Sequence, residues 1–344
     1  MKILGIDLGT TRSKTAASLL ETDSAEIKRT SVPTSATELM DMFRRWTPDL
    51  IVMEATANVG WVVDLCRAMG LRFIVAKTTD EAWRNRSTKT DRRDADLLAR
   101  LGACNQIRAV HIPEQDVREW RSFIKFRIRL VQARTRIKSH IKSILRQRDM
   151  PTSGLWCERG LCSLRLLAKP PQACEPSELW RAQLWMELRR LHEAEQSLAE
   201  AERTLNARGK SDVGVKTLTE IDGVGPRLAE TVVAFLDHPT RFRNRREVGA
   251  YAGLAPRIRQ SCSETRMGGI SKTGSPELRR LLVEVVWLGI RREGWMQETF
   301  VRLCRDDPQR RNRAVVAIAR RLLIRCWAKL RDLHRPPLSS VKAA

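Results

Sequence analysis

From Val117 to Arg148 the chain carries neither glycine nor proline, and Phe123, Leu130, Ile137 and Ile144 recur at every seventh position. Residues seven apart fall on one face of a helix after two turns, so the segment predicts one long helix with an apolar stripe. A lone helix in water is marginal, and this one needs a partner to cover its stripe. A partner follows in the sequence. Beyond a stretch rich in Pro, Cys and Gly, from about Met150 to Pro176, stand Leu184, Leu188, Leu191, Leu198 and Leu205 at helical spacings. Two heptad helices around a connector predict an antiparallel coiled-coil hairpin or dimerisation arm; two helices of an ordinary bundle fit the pattern as well.

The residues before this segment alternate in type. Lys2–Asp7, Ser13–Leu20 and Ile27–Val32 read as strands, and Ser35-Ala36-Thr37-Glu38 reads as a capping box that opens a helix to about Trp46. Leu50–Met53 is a buried strand, Val59–Met69 a helix stopped at Gly70, Arg72–Ala76 a strand, and about Asp91–Cys104 a helix. That order is an α/β pattern with a mixed sheet. From Gly214 the chain is mostly helical again, broken by a Gly- and Ser-rich loop over Gly253–Gly274, with a frayed tail after His334. The expected domains are therefore residues 1–112, an α/β domain; 113–210, a helical coiled-coil region; and 211–335, a mostly helical C-terminal domain.

The charge narrows the partners. Among 344 residues, 63 Lys and Arg face 40 Asp and Glu, a formal charge of +23. An excess this large repels itself and persists where a polyanion neutralises it. Nucleic acid is the first expectation. A membrane surface is weaker, because the bases run along the whole chain. With 42% hydrophobic residues, wholesale disorder is excluded. No apolar run approaches the length of roughly 18 residues that spans a bilayer. Asp7 arrives too early for a signal peptide, and the eight cysteines form no Cys-x-x-Cys pair, so reduced thiols in a cytoplasmic protein are expected.

Four carboxylates stand where chemistry is possible. Asp7 and Glu54 each end an apolar strand, at the sheet edge where open α/β sites form. Asp91 and Asp94, in Lys89-Thr90-Asp91-Arg92-Arg93-Asp94-Ala95, open a helix three residues apart and so share a face. Four converging carboxylates repel one another unless cations sit among them, and two magnesium ions are the usual solution where phosphodiesters are moved. Taken singly, each acid reads equally as a turn residue, a salt-bridge partner or a helix cap. The string Gly5-Ile6-Asp7-Leu8-Gly9-Thr10-Thr11 also resembles the phosphate loop of the actin and hexokinase ATPases, but the second such loop that those need is missing.

Three further segments suit phosphate. The long helix carries Arg118, Arg121, Lys125, Arg127, Arg129, Arg134, Arg136, Lys138, Lys142, Arg146 and Arg148 against Glu119 alone, which predicts a phosphate track. Gly223 and Gly225, in Ile221-Asp222-Gly223-Val224-Gly225-Pro226, resemble a helix-hairpin-helix turn whose backbone N–H groups can hold a DNA phosphate. The loop around Ser261 combines hydroxyls and glycines with Arg257, Arg259, Arg266 and Lys272. Those cations could neutralise a phosphate under attack by a serine. No histidine lies near enough for a hydrolase triad, and the sole tyrosine, Tyr251, sits in an apolar Gly-Ala-Tyr-Ala-Gly context that reads as packing.

Together these residues resemble the DEDD transposases of the insertion-sequence "one-ten" family, whose relatives include the pilin-inversion recombinase Piv. The most specific pieces are Lys89-x-Asp91-x-x-Asp94-Ala95 and Gly269-Ile270-Ser271-Lys272-x-Gly274-x-x-x-Leu278-Arg279, in that order after Asp7 and Glu54. The resemblance implies an RNase H/RuvC-like N-terminal domain, a coiled-coil segment and a C-terminal transposase domain. It implies magnesium on Asp7, Glu54, Asp91 and Asp94, and a serine that attacks DNA to form a phosphoserine link. Ser261 aligns best with that serine. The family usually has glycine next, where this chain has Cys262 and then Ser263, so Ser263 remains a contender. The resemblance further implies a noncoding guide RNA that pairs with donor and target DNA, and a dimer or tetramer. The alternatives are a metal-dependent junction resolvase without a protein nucleophile and a non-catalytic architectural protein.

Overall fold

The structure, a computed structural model, describes residues 1–10, 13–77, 90–261, 264–292 and 294–334, with the backbone alone at 258–261 and 264–267. The chain divides into two compact units, Met1–Arg118 and Glu119–Ala344.

The first unit holds a five-stranded sheet of β1 (Lys2–Asp7), β2 (Lys14–Glu21), β3 (Ile27–Pro33), β4 (Leu50–Glu54) and β5 (Phe73–Ala76), in the order β3-β2-β1-β4-β5. β1, β2 and β3 pair antiparallel, whereas β4 and β5 continue parallel to β1. Alternate residues of a strand point to opposite faces. Leu4, Ile6, Ile51 and Met53 bury against Leu39 and Phe43 of α1 (Ala36–Trp46) and Val59 and Val63 of α2 (Val59–Ala68). Ile3, Leu50 and Val52 face the other way, onto Leu98 of α3 (Asp91–Ala103). The mixed α/β sheet read from the sequence is present. Ser35 caps α1 by accepting the Glu38 N–H at 3.3 Å, yet its own N–H goes to the Pro33 carbonyl at 2.9 Å. The donor that Glu38 was expected to satisfy is thus already taken, and only half of the capping box forms.

One contact sets the seat of α3. A Cβ on Gly5 would stand 2.1 Å from the Ala95 carbonyl oxygen and 2.6 Å from the Ala99 nitrogen. Helix backbone lies directly against strand backbone there, and any side chain would part them.

The second unit is mostly helical. α4 (Gln115–Arg146) carries most of its length into it; α5 (Glu158–Leu167), α6 (Leu179–Ser211), α7 (Val213–Thr219), α8 (Pro226–Leu236) and α9 (Arg245–Tyr251) follow. α4 and α6 run antiparallel, since Arg127 pairs with Glu202, Lys138 with Glu195 and His140 with Glu187. Ile137, Ile141 and Leu145 bury against Leu184 and Leu191, and α5 closes the cluster with Leu164. The heptad is only partly the seam. Ile137 and Ile144 are buried, but Phe123 and Leu130 are half-buried, and Trp120 and Ile124 hold the buried positions nearer the start of α4.

The segment read as a Gly- and Ser-rich loop is instead a two-stranded antiparallel ribbon, β6 (Pro256–Ser261) and β7 (Glu264–Ile270). Its strands are too polar to announce themselves by apolar alternation. α10 (Pro276–Gly289), α11 (Gly294–Cys304) and α12 (Arg311–Leu333) complete the unit. Ile318, Leu322, Cys326 and Leu330 of α12 pass through a core shared with Leu228 and Val232 of α8 and Leu278 and Leu282 of α10. Among the described residues no helix is long and apolar enough to cross a membrane.

α8 also buries an acid. Glu230 is 2% exposed, with Arg227 at 3.0 Å. Burial pushes its carboxyl up to about 7, against the pull of Arg227 and Arg127.

Two outcomes follow for stability. Gly5→Ala should cost about 3 kcal/mol in urea unfolding, the upper end of overpacking, because backbone cannot swing aside. Gly294→Ala, where nothing lies within 4 Å, should be neutral or better. For Glu230, the folded pKa lies above the unfolded one. Its favourable contribution is therefore complete below pH ~4.5 and lost as pH rises through about 7. Glu230→Gln should then be more stable than the parent by roughly 2–3 kcal/mol at pH 8, with no gap at pH 4. A pH-independent gap would remove burial of charge as the cause.

Candidate active site

Ile6 pairs with Met53 across the parallel β1–β4 ladder, so Asp7 and Glu54 follow side by side at the carboxyl ends of adjacent strands. Both share the parity of Gly5 and Val52, which places them on the face that α3 covers. α3 runs opposite to β1: its Ala95 and Ala99 oppose Gly5, while a Cβ on Gly102, farther along the helix, would meet side-chain atoms of Val52 and Ile3. Four residues of helix before Ala95 span about 6 Å, and two residues of strand beyond Gly5 about 6.6 Å. The Asp91 end of α3 therefore lies level with Asp7 and Glu54. Thr90 starts the helix there by accepting the Arg93 N–H at 3.4 Å.

The three aspartates of α3 divide. Asp94 is 1% exposed on the sheet-facing stripe with Ala95 and Leu98, and Asp91 extends that stripe into solvent. Asp96 turns to the β2–β3 side, where it accepts from Ser18 and from Arg29 Nε at 3.0 Å. Burial alone would raise the Asp96 carboxyl, but the Arg29 and Ser18 hydrogen bonds outweigh it and hold it below the usual range. Asp96 is thereby a structural acid, and Asp91 and Asp94 are the two turned toward the strand ends.

Four carboxylates offer only hard oxygen donors, which suit a divalent cation of the magnesium type. Among the described residues, no three His, Cys, Asp or Glu side chains are gathered tightly enough to hold a metal ion. Donor chemistry and edge placement fit a metal; side-chain closure round it is not formed. Lys89 lies outside the described residues.

Ser261 ends β6, and its backbone pairs with Glu264; Cys262 and Ser263 lie outside the described residues. Arg259 is in register with Arg266. Arg257 lies at the irregularity between Pro256 and Ile258 and donates to the Ser271 carbonyl at 3.1 Å. The Ile-Ser-Lys-x-Gly turn does structural work the sequence did not disclose. A Cβ on Gly274 would fall 1.9 Å from the Tyr251 carbonyl oxygen, Leu278 is in the core, and Arg279 donates to the Ala252 carbonyl at 3.1 Å. Lys272 remains exposed, with a φ of 55°.

The helix-hairpin-helix-like segment joins α7 to α8, with Gly223 at φ 84°, Gly225 as N-cap and Pro226 as the first helical residue. Tyr251 is a packing residue; its hydroxyl donates to the Phe235 carbonyl at 2.8 Å. The basic helix is more committed than its sequence suggests. Arg121 donates to the Ala234 and Phe235 carbonyls at 2.7 and 3.1 Å, and Arg118 is paired with Asp64. Arg127 and Lys138, expected on phosphate, face Glu202 and Glu195, and Arg134 is half-buried. Lys125, Arg129, Arg136 and Arg146 are exposed.

Comparison with known proteins places these features in a family. Residues 4–148 match a family model described as a transposase of the DEDD type, and residues 215–301 match one described as the transposase IS116/IS110/IS902 family. A probable family 20 transposase of Pseudomonas aeruginosa is 27% identical over 82% of this chain and 83% of its own length. The transposase for insertion sequence element IS1111A of Coxiella burnetii is 29% identical over 58% of this chain and 54% of its own. The pilin gene-inverting protein of Moraxella lacunata is 24% identical over 72% and 68%. The carboxylates of β1, β4 and α3 lie within the first matched segment, and the Ser261 ribbon lies within the second. The chain belongs to the IS116/IS110/IS902 family of insertion-sequence transposases.

Proposed function

We propose that this transposase cuts and rejoins DNA through a phosphoserine, with magnesium, two ions per site, held by Asp7, Glu54, Asp91 and Asp94 and with Ser261 as nucleophile. What carries the reading is the register of β1 with β4, which sets Asp7 beside Glu54 on the face where the acid-bearing end of α3 lies. Transposases of the DEDD type are generally metal-dependent. Magnesium, when bound, supplies charge neutralisation at the scissile phosphate. The Ser261 hydroxyl gives up its proton and attacks phosphorus; the bond to the 3′ oxygen breaks, leaving a 5′-phosphoserine and a 3′-hydroxyl. A 3′-hydroxyl of the exchanged strand then attacks that phosphoserine, closes the new phosphodiester and frees Ser261. Arg257, Arg259, Arg266 and Lys272 offset the charge of the attacked phosphate. Lys89, Gly223 and Gly225 contact backbone phosphates, with the exposed bases of α4 adding to that track.

In this reading residues 1–112 form a RuvC-like catalytic domain, 113–210 a coiled-coil arm and 211–335 the transposase domain. A noncoding guide RNA pairs with donor and target DNA, and two or four copies of the chain assemble around them. Backbone and shape contacts suffice for a protein whose sequence choice is delegated to base pairing.

The test is a covalent-trapping assay on the full chain, co-expressed with its flanking noncoding DNA and given labelled donor and target DNA with magnesium. The expected product is a protein–DNA adduct on a denaturing gel that maps to Ser261 and disappears in Ser261→Ala. Cleavage without an adduct would overturn the serine mechanism and favour the resolvase. Asp7→Asn and Asp94→Asn should each lower cleavage by about 100-fold or more, with DNA binding retained, because losing a ligand removes about 3 kcal/mol of charge stabilisation. Cleavage within tenfold of the parent in both variants would sink the tetrad.

A further inference from the structure

Away from the carboxylates and the Ser261 ribbon, an open cavity of about 400 Å³ lies between α5 and α6. Its size falls in the roughly 300–1,000 Å³ range of ligand sites. Leu188, Leu191 and the half-buried Trp185 make its apolar part, and Arg165, His192 and Glu193 belong to its polar part, with Glu195 already engaged by Lys138 at 3.2 Å. Among the described residues Arg165 and His192 have no hydrogen-bond or ion-pair partner, so their donors are available. Arg189 already lies over Trp185, its guanidinium carbon 4.9 Å from the ring centroid. Its pairing with Glu193 is loose, at 3.9 Å between side chains 62% and 64% exposed.

This combination is chemically selective. An indole beside an apolar floor accepts a flat ring by stacking, and the Arg189–Trp185 stack extends by one more layer. Glu193 is a pure acceptor, so it matches a ring that carries an exocyclic amino group, as cytosine does and uracil does not. Arg165 and His192 at the polar side can meet a phosphate. The carboxylate argues against a simple polyanion groove, and the cations argue against a neutral lipid or apolar peptide. In a chain of net charge +23, the ligand meeting all three demands is a nucleotide of a single strand. A base held in a duplex is already stacked on both faces and cannot enter.

We infer that the α5–α6 cavity binds an unpaired, amino-bearing nucleobase of single-stranded nucleic acid by stacking on Trp185. The site stands on different residues from the cutting chemistry, so either can fail without the other.

Fluorescence anisotropy with the full chain reads the affinity for short oligocytidine and oligouridine, as RNA and as DNA, and for a duplex of equal length. Trp185→Leu should weaken oligocytidine binding about tenfold, the scale of one lost stack, and leave duplex binding unchanged. Trp185→Phe should retain most of it. Glu193→Ala should erase the preference for cytidine over uridine. The ribose and deoxyribose arms separate an RNA ligand from a displaced DNA strand. If Trp185→Leu melts early, the exposed-residue variants Arg165→Ala and His192→Ala replace it, each expected to lose severalfold for single strands alone. Unchanged oligocytidine affinity in folded variants, or an equal loss on duplex, overturns the inference.

Discussion

Everything in the first unit depends on how closely α3 approaches β1. The helix backbone rests against Gly5 with no side chain between them, and that contact fixes the direction and height of the helix over the sheet. Its acid-bearing end is thereby aligned with the carboxyl ends of β1 and β4. Raising α3 by the thickness of one methyl would carry Asp94 away from the strand ends while leaving every strand intact. A position with no chemistry of its own thus governs the spacing of those that have it.

Electrostatics in the second unit work by local pairing. α4 is strongly cationic, and glutamates of α6 offset part of that charge at Arg127–Glu202 and Lys138–Glu195, although α6 carries bases of its own. Two copies of α4 would repel each other, which disfavours pairing like with like. Lys125, Arg129, Arg136 and Arg146 of α4 stay exposed.

Local pattern made some of this legible in the sequence. The strands ending in Asp7 and Glu54 show as apolar runs, and three-residue spacing puts Asp91 and Asp94 on one helix face. Other features depend on partners far along the chain. Nothing near Arg127 reveals that Glu202 will pair with it, and nothing near Asp96 separates it from its two neighbours until Arg29 and Ser18 reach it. β6 and β7 escape the sequence because Arg-Ile-Arg-Gln-Ser and Glu-Thr-Arg-Met-Gly-Gly carry too few apolar residues for alternation to show; their pairing register defines them. Gly274 reads as a flexible turn residue in sequence, yet it is required by the carbonyl of Tyr251 pressed against it.

The distance in sequence between bases of α4 and the glutamates that pair with them also has a consequence during synthesis. Arg127 and Glu202 are 75 residues apart. At roughly 5–20 residues per second, the ribosome delivers the glutamate about 4–15 s after the arginine. For that interval the bases of α4 that pair with α6 lack those counterions. The polyanions at hand are ribosomal RNA and the message being translated, so the chain meets nucleic acid before its own acids arrive.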